Sequence, residues 1–208
     1  MLRQTGVWLI AVCTLGGANV VRGEVRDFDF KDPKGVNAMT FFLDSLQEPI
    51  VGVASDVSGT VKFDPGKPES FKGRLVVQAA SLHVPTPRMK DVLHSAAWMD
   101  VQKNPEISFD ITEVKKTTKP AENVWDLQVS GNFTCHGVTK PLSVTIKVSY
   151  LPGKLGDRVP KMEGDLLVLR TEFSIKRSDF GINPNTPAAV VAEEIQIRAG
   201  IVGAWQKK

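Results

Sequence analysis

Alternation with a period of two runs through most of this sequence, and it restricts the chain to strands with one buried and one wet face. In Leu142, Val144, Ile146, Val148 and Tyr150 the apolar residues alternate with Ser143, Thr145, Lys147 and Ser149. Trp125, Leu127, Val129 and Phe133 alternate in the same way with Asp126, Gln128, Ser130 and Asn132, and Ile107, Phe109 and Ile111 with Ser108, Asp110 and Thr112. Leu167, Leu169, Thr171, Phe173 and Ile175 share a face, as do Ile195, Ile197, Ala199, Ile201 and Trp205. Shorter strands are readable at 27–30, 38–46, 57–63 and 73–80. Asp64-Pro65-Gly66, Pro152-Gly153 and Asn183-Pro184-Asn185 supply turns between strands. Many half-buried strands with short polar connections imply an antiparallel sandwich or a closed barrel, and periodicity does not separate the two. The last strand is rich in Ile and carries no proline, which would make it a hazardous open edge and so favours closure.

The period changes once. Over 87–98, Met89, Val92, Leu93, Ala96 and Ala97 fall at spacings of three and four, which predicts one short helix with Pro87 in its first turn. No repeat, low-complexity tract or linker divides the chain, so one domain is expected over 24–208.

The first residues stand apart. Arg3, an uncharged apolar run over 7–15 and small residues up to Gly23 fit an export signal, with cleavage near Gly23 and a mature chain from Glu24. The run is too short for a membrane span, and no other apolar run approaches that length. Val12 before Cys13 does not suit a lipidation site. Removing Arg3 and Arg22 takes the formal charge from +3 to about +1, which is no footprint for nucleic acid or an anionic membrane. Cys135 is then the single remaining cysteine, so no internal disulfide can brace the fold and burial must hold it.

Catalytic patterns are weak. His83, His94 and His136 have no metal-site spacing, and histidines bonding backbone groups near the barrel ends are the favoured reading. Asp179-Phe180-Gly181 matches the kinase magnesium motif without a phosphate loop to go with it, and no nucleophile elbow is present. Asp165, Glu172, Glu193 and Glu194 read as solvated strand positions rather than paired carboxylates. Arg177 and Asp179, two apart, would share a face of a strand and close a corner.

Three segments together resemble the YceI-like family. They are His94-Ser95-Ala96-Ala97-Trp98-Met99-Asp100-Val101 continuing through Lys103-Asn104-Pro105 to Phe109; Val129 through His136-Gly137-Val138-Thr139-Lys140-Pro141; and Arg177-Ser178-Asp179-Phe180-Gly181. The run from Gly59 to Pro65 is similar to a further family strand, and the resemblance covers nearly all of 24–202. It implies an all-β fold, an elongated eight-stranded antiparallel lipocalin-like barrel, whose interior holds the tail of a polyisoprenoid lipid or quinone in the periplasm or outside the cell. It implies no enzyme, metal or catalytic cofactor. Residues 32–41 lack the histidines the family carries there, and Cys135 stands where an aliphatic residue is usual.

On that reading the tunnel lining comes from Phe41, Phe109, Trp125, Leu127, Val129, Phe133, Leu142, Val144, Ile146, Leu169, Phe173, Ile197 and Ile201. His94, Trp98, Asp100, Pro105, His136, Gly137, Thr139, Arg177, Asp179, Phe180 and Gly181 are motif residues with mostly structural roles. Each five-carbon unit buried would contribute about 3–4 kcal/mol before ordering costs. Two other functions stay open: an interaction protein with a filled barrel, and a lipid-modifying enzyme using His94, His136 and Asp179 around a cavity. Pairing of two copies through Leu166 and Val168 is also left open.

Overall fold

The computed structural model describes residues 23–32 and 34–208. The expected leader and Cys13 lie outside these residues, apart from Gly23. The described residues form eleven strands: β1 Arg26–Asp29, β2 Ala38–Ser45, β3 Ile50–Ala54, β4 Val57–Phe63, β5 Lys72–Gln78, β6 Leu82–His83, β7 Glu106–Ala121, β8 Val124–Cys135, β9 Val138–Leu151, β10 Gly164–Lys176 and β11 Val191–Gln206. Helix α1 spans Pro87–His94 and the single-turn α2 spans Leu155–Arg158.

The eleven strands make eight staves. β1 and β2 both pair with β11, and their partners β4 and β3 follow each other directly in the chain. β5 and β6 then pair with β4 and β3. Each of these three pairs of short strands is one broken stave, and β7, β8, β9, β10 and β11 are the other five. Every pairing is antiparallel, staves that follow each other in the chain lie side by side, and the pairing of β11 with β1 and β2 closes the ring into an eight-stranded barrel.

The break between β1 and β2 has a chemical cause. The Asp32 carboxylate accepts the backbone N–H groups of Lys34, Val36 and Asn37, which curls the chain out of the sheet. Asn37 then repairs the ladder. Its amide donates to the carbonyls of Phe30 and Val202 and its oxygen accepts the N–H of Val202, standing in for missing backbone rungs. Arg158 of α2 forms an ion pair with Asp32 at 2.7 Å. Burial alone would push the Asp32 carboxyl up, but the three N–H groups and Arg158 outweigh it and hold it below the usual carboxylate range.

Several expectations need correction. Helix α1 ends at His94 rather than at 98. The Ser95 amide and hydroxyl both bond back to the Val92 carbonyl, Ser95 turns extended (ψ 164°), and 95–99 continues as a turn. Three stretches that do not alternate are strands nonetheless: β3, β6 and the Lys/Thr-rich second half of β7. Arg177 and Asp179 do not share a strand face, because β10 stops at Lys176 and Ser178–Phe180 is a 3-10 turn. Leu166 and Val168 are buried by their own chain, on the side of β10 opposite Leu167 and Leu169, so they offer no face to a second copy.

One end of the barrel, called the floor below, is filled with rings. The Phe63 ring stands edge-on to Trp125 at 5.2 Å between centroids and to Phe71 at 6.1 Å, and Phe28 meets Tyr150 at 6.3 Å. Such pairs are worth about 0.5–1.5 kcal/mol beyond the area they bury. Beneath them Arg26 pairs with Asp165 and stacks on Trp205, and the Tyr150 hydroxyl donates to Asp165 at 2.7 Å.

Candidate functional site

The other end is hollow. A cavity of about 160 Å³ lies between β2, β3, β5, β7, β8, β9, β10 and β11, under α1 and the turn that follows it. Its walls follow from the alternation. On β9, for example, Leu142, Val144 and Ile146 face inward while Ser143, Thr145 and Lys147 face solvent. Among the described residues no charged side chain lines the cavity, and the hydroxyls of its lining belong to Thr40, Ser108 and Thr171. An apolar cavity of about this size stays dry and accepts apolar molecules.

The structure sorts the thirteen residues expected to line a tunnel. Phe41, Phe109, Phe133, Leu142, Val144, Ile146, Leu169, Phe173, Ile197 and Ile201 surround the cavity. Trp125, Leu127 and Val129 do not. They share the inward face of β8 with Phe133 but sit deeper, at 2%, 0% and 0% exposure, where Phe63 and its neighbours fill the bore. The interior is therefore half core and half cavity, divided along the barrel axis. Sequence reasoning missed other lining residues, among them Met39, Leu93, Trp98 and Ile182. Ile182 lies in a loop with no alternation to mark it.

The motif residues build the cap over the hollow end. Arg177 is fully buried. Its guanidinium donates to the carbonyls of Ile182, Asn183, Thr186, Val191 and Ala192 at 2.7–3.2 Å and reaches Glu193 at 3.2 Å. One cation thus pins the loop between β10 and β11. Asn183 of that loop donates its N–H to the Ala97 carbonyl, which ties the loop to the segment after α1. Phe180 is buried edge-on to Phe133 at 5.5 Å. Gly181 takes the left-handed conformation (φ 65°) that ends the 3-10 turn.

Both motif histidines bond backbone carbonyls, His94 that of Leu82 at 2.7 Å and His136 that of Phe180 at 2.9 Å. His136 and Gly137 form the two-residue β8–β9 turn with positive φ at both positions (51° and 73°), and Thr139 follows with its hydroxyl 2.8 Å from that of Thr134. A side chain at 137 would collide with Asn104. Asp100 (φ 43°) receives Lys103 and Asn104 N–H groups on its carbonyl, and the Pro105 carbonyl accepts Ala79 N–H. Trp98 reaches the cavity wall.

The polar residues do not converge on the cavity. His94 and His136 are occupied as described, and Asp179 is half-exposed and paired with Lys140 at 2.7 Å. That Lys140 hydrogen bond holds the Asp179 carboxyl below its usual range, and the Ser178 hydroxyl and N–H do the same for Glu193. Asp165, Glu172 and Glu193 each pair with a separate arginine. Among the described residues no three His, Cys, Asp or Glu side chains gather to hold a metal, and no helix is long and apolar enough to cross a membrane. Cys135 lines the cavity, and burial pushes its thiol up to about 12, so it stays protonated.

The fold recurs in known proteins. The chain is 31% identical to a UPF0312 protein of Pseudomonas fluorescens over 184 residues, covering 87% of this chain and 88% of that protein. It is 27% identical to Protein YceI of Salmonella arizonae over 158 residues, 76% of this chain and 75% of the other. Among solved structures, BcnA of Burkholderia cenocepacia superposes with a TM-score of 0.64 at 20% identity, covering 80% of this chain and 95% of that one. A polyisoprenoid binding domain from Saccharophagus degradans superposes with a TM-score of 0.60 at 9% identity, covering 88% and 100%. The family model described as the YceI-like domain matches residues 16–202, and with a closed eight-stranded barrel capped by that family's three motifs, the chain belongs to the YceI-like family.

Proposed function

We propose that this protein is a binding protein, not an enzyme, and that the hollow half of its barrel holds the tail of an isoprenoid-type lipid, a polyprenyl chain or a quinone. The observation that carries the reading is the cavity wall: apolar on every side, without a charge, and with its motif histidines turned to backbone carbonyls. A prenyl tail needs nothing else, since burial contributes about 0.8 kcal/mol for each methylene-sized group. The likeness to a domain described as polyisoprenoid-binding supports the same ligand class. The export-type leader expected at 1–23 supports carriage or storage of that lipid outside the cytoplasm.

The cavity is smaller than the 300–1,000 Å³ typical of sites that enclose a whole drug-sized ligand. It houses the end of a tail, and the remainder of a long chain lies elsewhere. Native mass spectrometry of the purified protein, followed by organic extraction, tests the proposal. A prenyl lipid or quinone near one per chain is expected, or uptake of added geranylgeraniol by protein isolated empty. Protein that is empty and takes up no isoprenoid overturns it.

A further inference from the structure

The barrel wall is not paired all the way round. β9 is bonded to β8 over its whole length, down to Cys135↔Val138, and β10 to β11 as far as Lys176↔Glu194. Between β9 and β10 the ladder runs from Leu166↔Leu151 to Thr171↔Ile146 and stops. Beyond that rung, residues 138–145 and 172–176 have strand partners on their outer sides alone. The gap has two fastened ends. At one, the Thr171 hydroxyl donates to the Thr145 carbonyl at 2.9 Å, and at the other Lys140 pairs with Asp179 just past β10.

This slot opens into the cavity. Leu142 and Val144 on one lip and Phe173 and Ile175 on the other all line it, and Leu142 and Phe173 are partly exposed. The lips are dressed as strand edges: Lys140, Pro141 and Lys176 lie along them, and lysine and proline are what edges use to refuse another strand. The two ends of the bore are filled. The floor is packed with rings, and the cap carries Ile182 and Phe180 at 1% and 4% exposure on a loop pinned by Arg177.

We propose that the β9–β10 slot is the portal of this barrel, and that a ligand lies with its tail end inside and the rest of the molecule leaving sideways between the two strands. The ligand class is accordingly an amphiphile longer than the cavity. This rests on the binding function proposed above and adds the direction of entry. A sideways exit also reconciles a long prenyl chain with a cavity of about 160 Å³. The rungs that a closed wall would have made are given up, and the exposed strand edges are left to water or to the ligand.

The test bridges the slot. Ser143 and Ser174 are exposed on opposite lips, at positions a continued ladder would place opposite each other. The S143C/S174C variant, in a chain that also carries Cys13→Ser, is joined with a short bis-maleimide, and mass spectrometry verifies the bridge. Buried Cys135, with its thiol pushed up to about 12, is spared. Stopped-flow binding of geranylgeraniol is expected to slow at least about tenfold in both directions, while the same variant capped with N-ethylmaleimide keeps wild-type rates. Wild-type rates in the bridged protein overturn the portal. So does slowing that follows a bridge across the cap, in A97C/N183C, and not the slot. Failure of the unmodified protein to bind geranylgeraniol at all overturns the binding function itself and the portal with it. Should the double variant not fold, Lys140→Glu, which sets like charges against Asp179, is expected to speed exchange several-fold. Unchanged or slower exchange counts against the portal.

Discussion

The floor and the mouth of this barrel are built from the same alternating strands and held by different physics. At the floor Phe28, Phe63, Phe71, Trp125 and Tyr150 meet across the bore, so side chains from opposite walls hold each other. At the mouth rings also meet, Phe133 with Phe173 at 6.0 Å and with Phe180 at 5.5 Å, but they leave a cavity beside them. There the loop over the cavity is held by a buried guanidinium bonded to five carbonyls and a carboxylate. A wall that must stay hollow has less core packing with which to fix its rim, and directional bonds to backbone take over part of that task.

The largest effect expected from breaking this contrast is at Arg177. Arg177→Met leaves its acceptors unpaired in a buried place and is expected to cost about 3–5 kcal/mol in denaturant unfolding. A loss below about 1 kcal/mol would mean the rim does not depend on it.

Truncations of aromatic rings come next. Trp125→Ala opens a void in a packed region and is expected to cost about 3–5 kcal/mol. Phe173→Ala enlarges a void already present and is expected to cost clearly less, about 1–2 kcal/mol, because the removed ring had fewer neighbours. Equal losses in the two variants would erase the distinction between floor and mouth.

Enlargement sharpens it from the other side. Val129→Phe overpacks the floor and is expected to cost about 1–3 kcal/mol. Val144→Phe points into the cavity and is expected to change stability by less than about 1 kcal/mol while abolishing geranylgeraniol uptake. Retained uptake in Val144→Phe would place the ligand somewhere other than the cavity.

The smallest effects are those of acid. Asp32 and Asp179 have carboxyls held below their usual value of 3.8 in the folded protein. Each therefore contributes stability that is fully present above about pH 3.8 and lost as the pH falls through the lowered value. Asp32→Asn is expected to flatten part of that acid limb in thermal melts. Asp179→Asn is expected to alter melting little and to speed ligand exchange, since its carboxylate fastens the slot and not the floor. Identical acid limbs for wild type and Asp32→Asn would remove Asp32 from the account.

Periodicity settles which way a strand residue points and says nothing of how far along the axis it sits. That is why the inward faces of β8, β9, β10 and β11 were legible in the sequence while Trp125, Leu127 and Val129 were grouped with true cavity residues. Depth depends on which rings come from β1, β4 and the segment around Phe71 to fill the bore, and those are long-range contacts. β3 escaped notice because Ile-Val-Gly-Val-Ala does not alternate, and its Gly52 leaves room for the Phe41 ring. The second half of β7 escaped because register shifts interrupt its pairing with β8 and most of its Lys and Thr residues are exposed, which erases the alternation. The cap was legible as a motif, but the exposure of Asp179 beside a wholly buried Arg177 was not, since it depends on β10 ending one residue earlier.

β11 runs unbroken past the staves that break. Its first ten residues, 191–200, border β2 and the hollow half, and Ala204 pairs with β1 near the floor, where Gly203 lies under the Phe30 ring. It therefore works as a gauge laid along the barrel. Amide exchange read residue by residue on this one strand compares the two halves in a single sample, with the same neighbour β10 on one side from Glu194 to Gln206. The position along 191–206 where protection begins to respond to added lipid marks how deep the tail has gone.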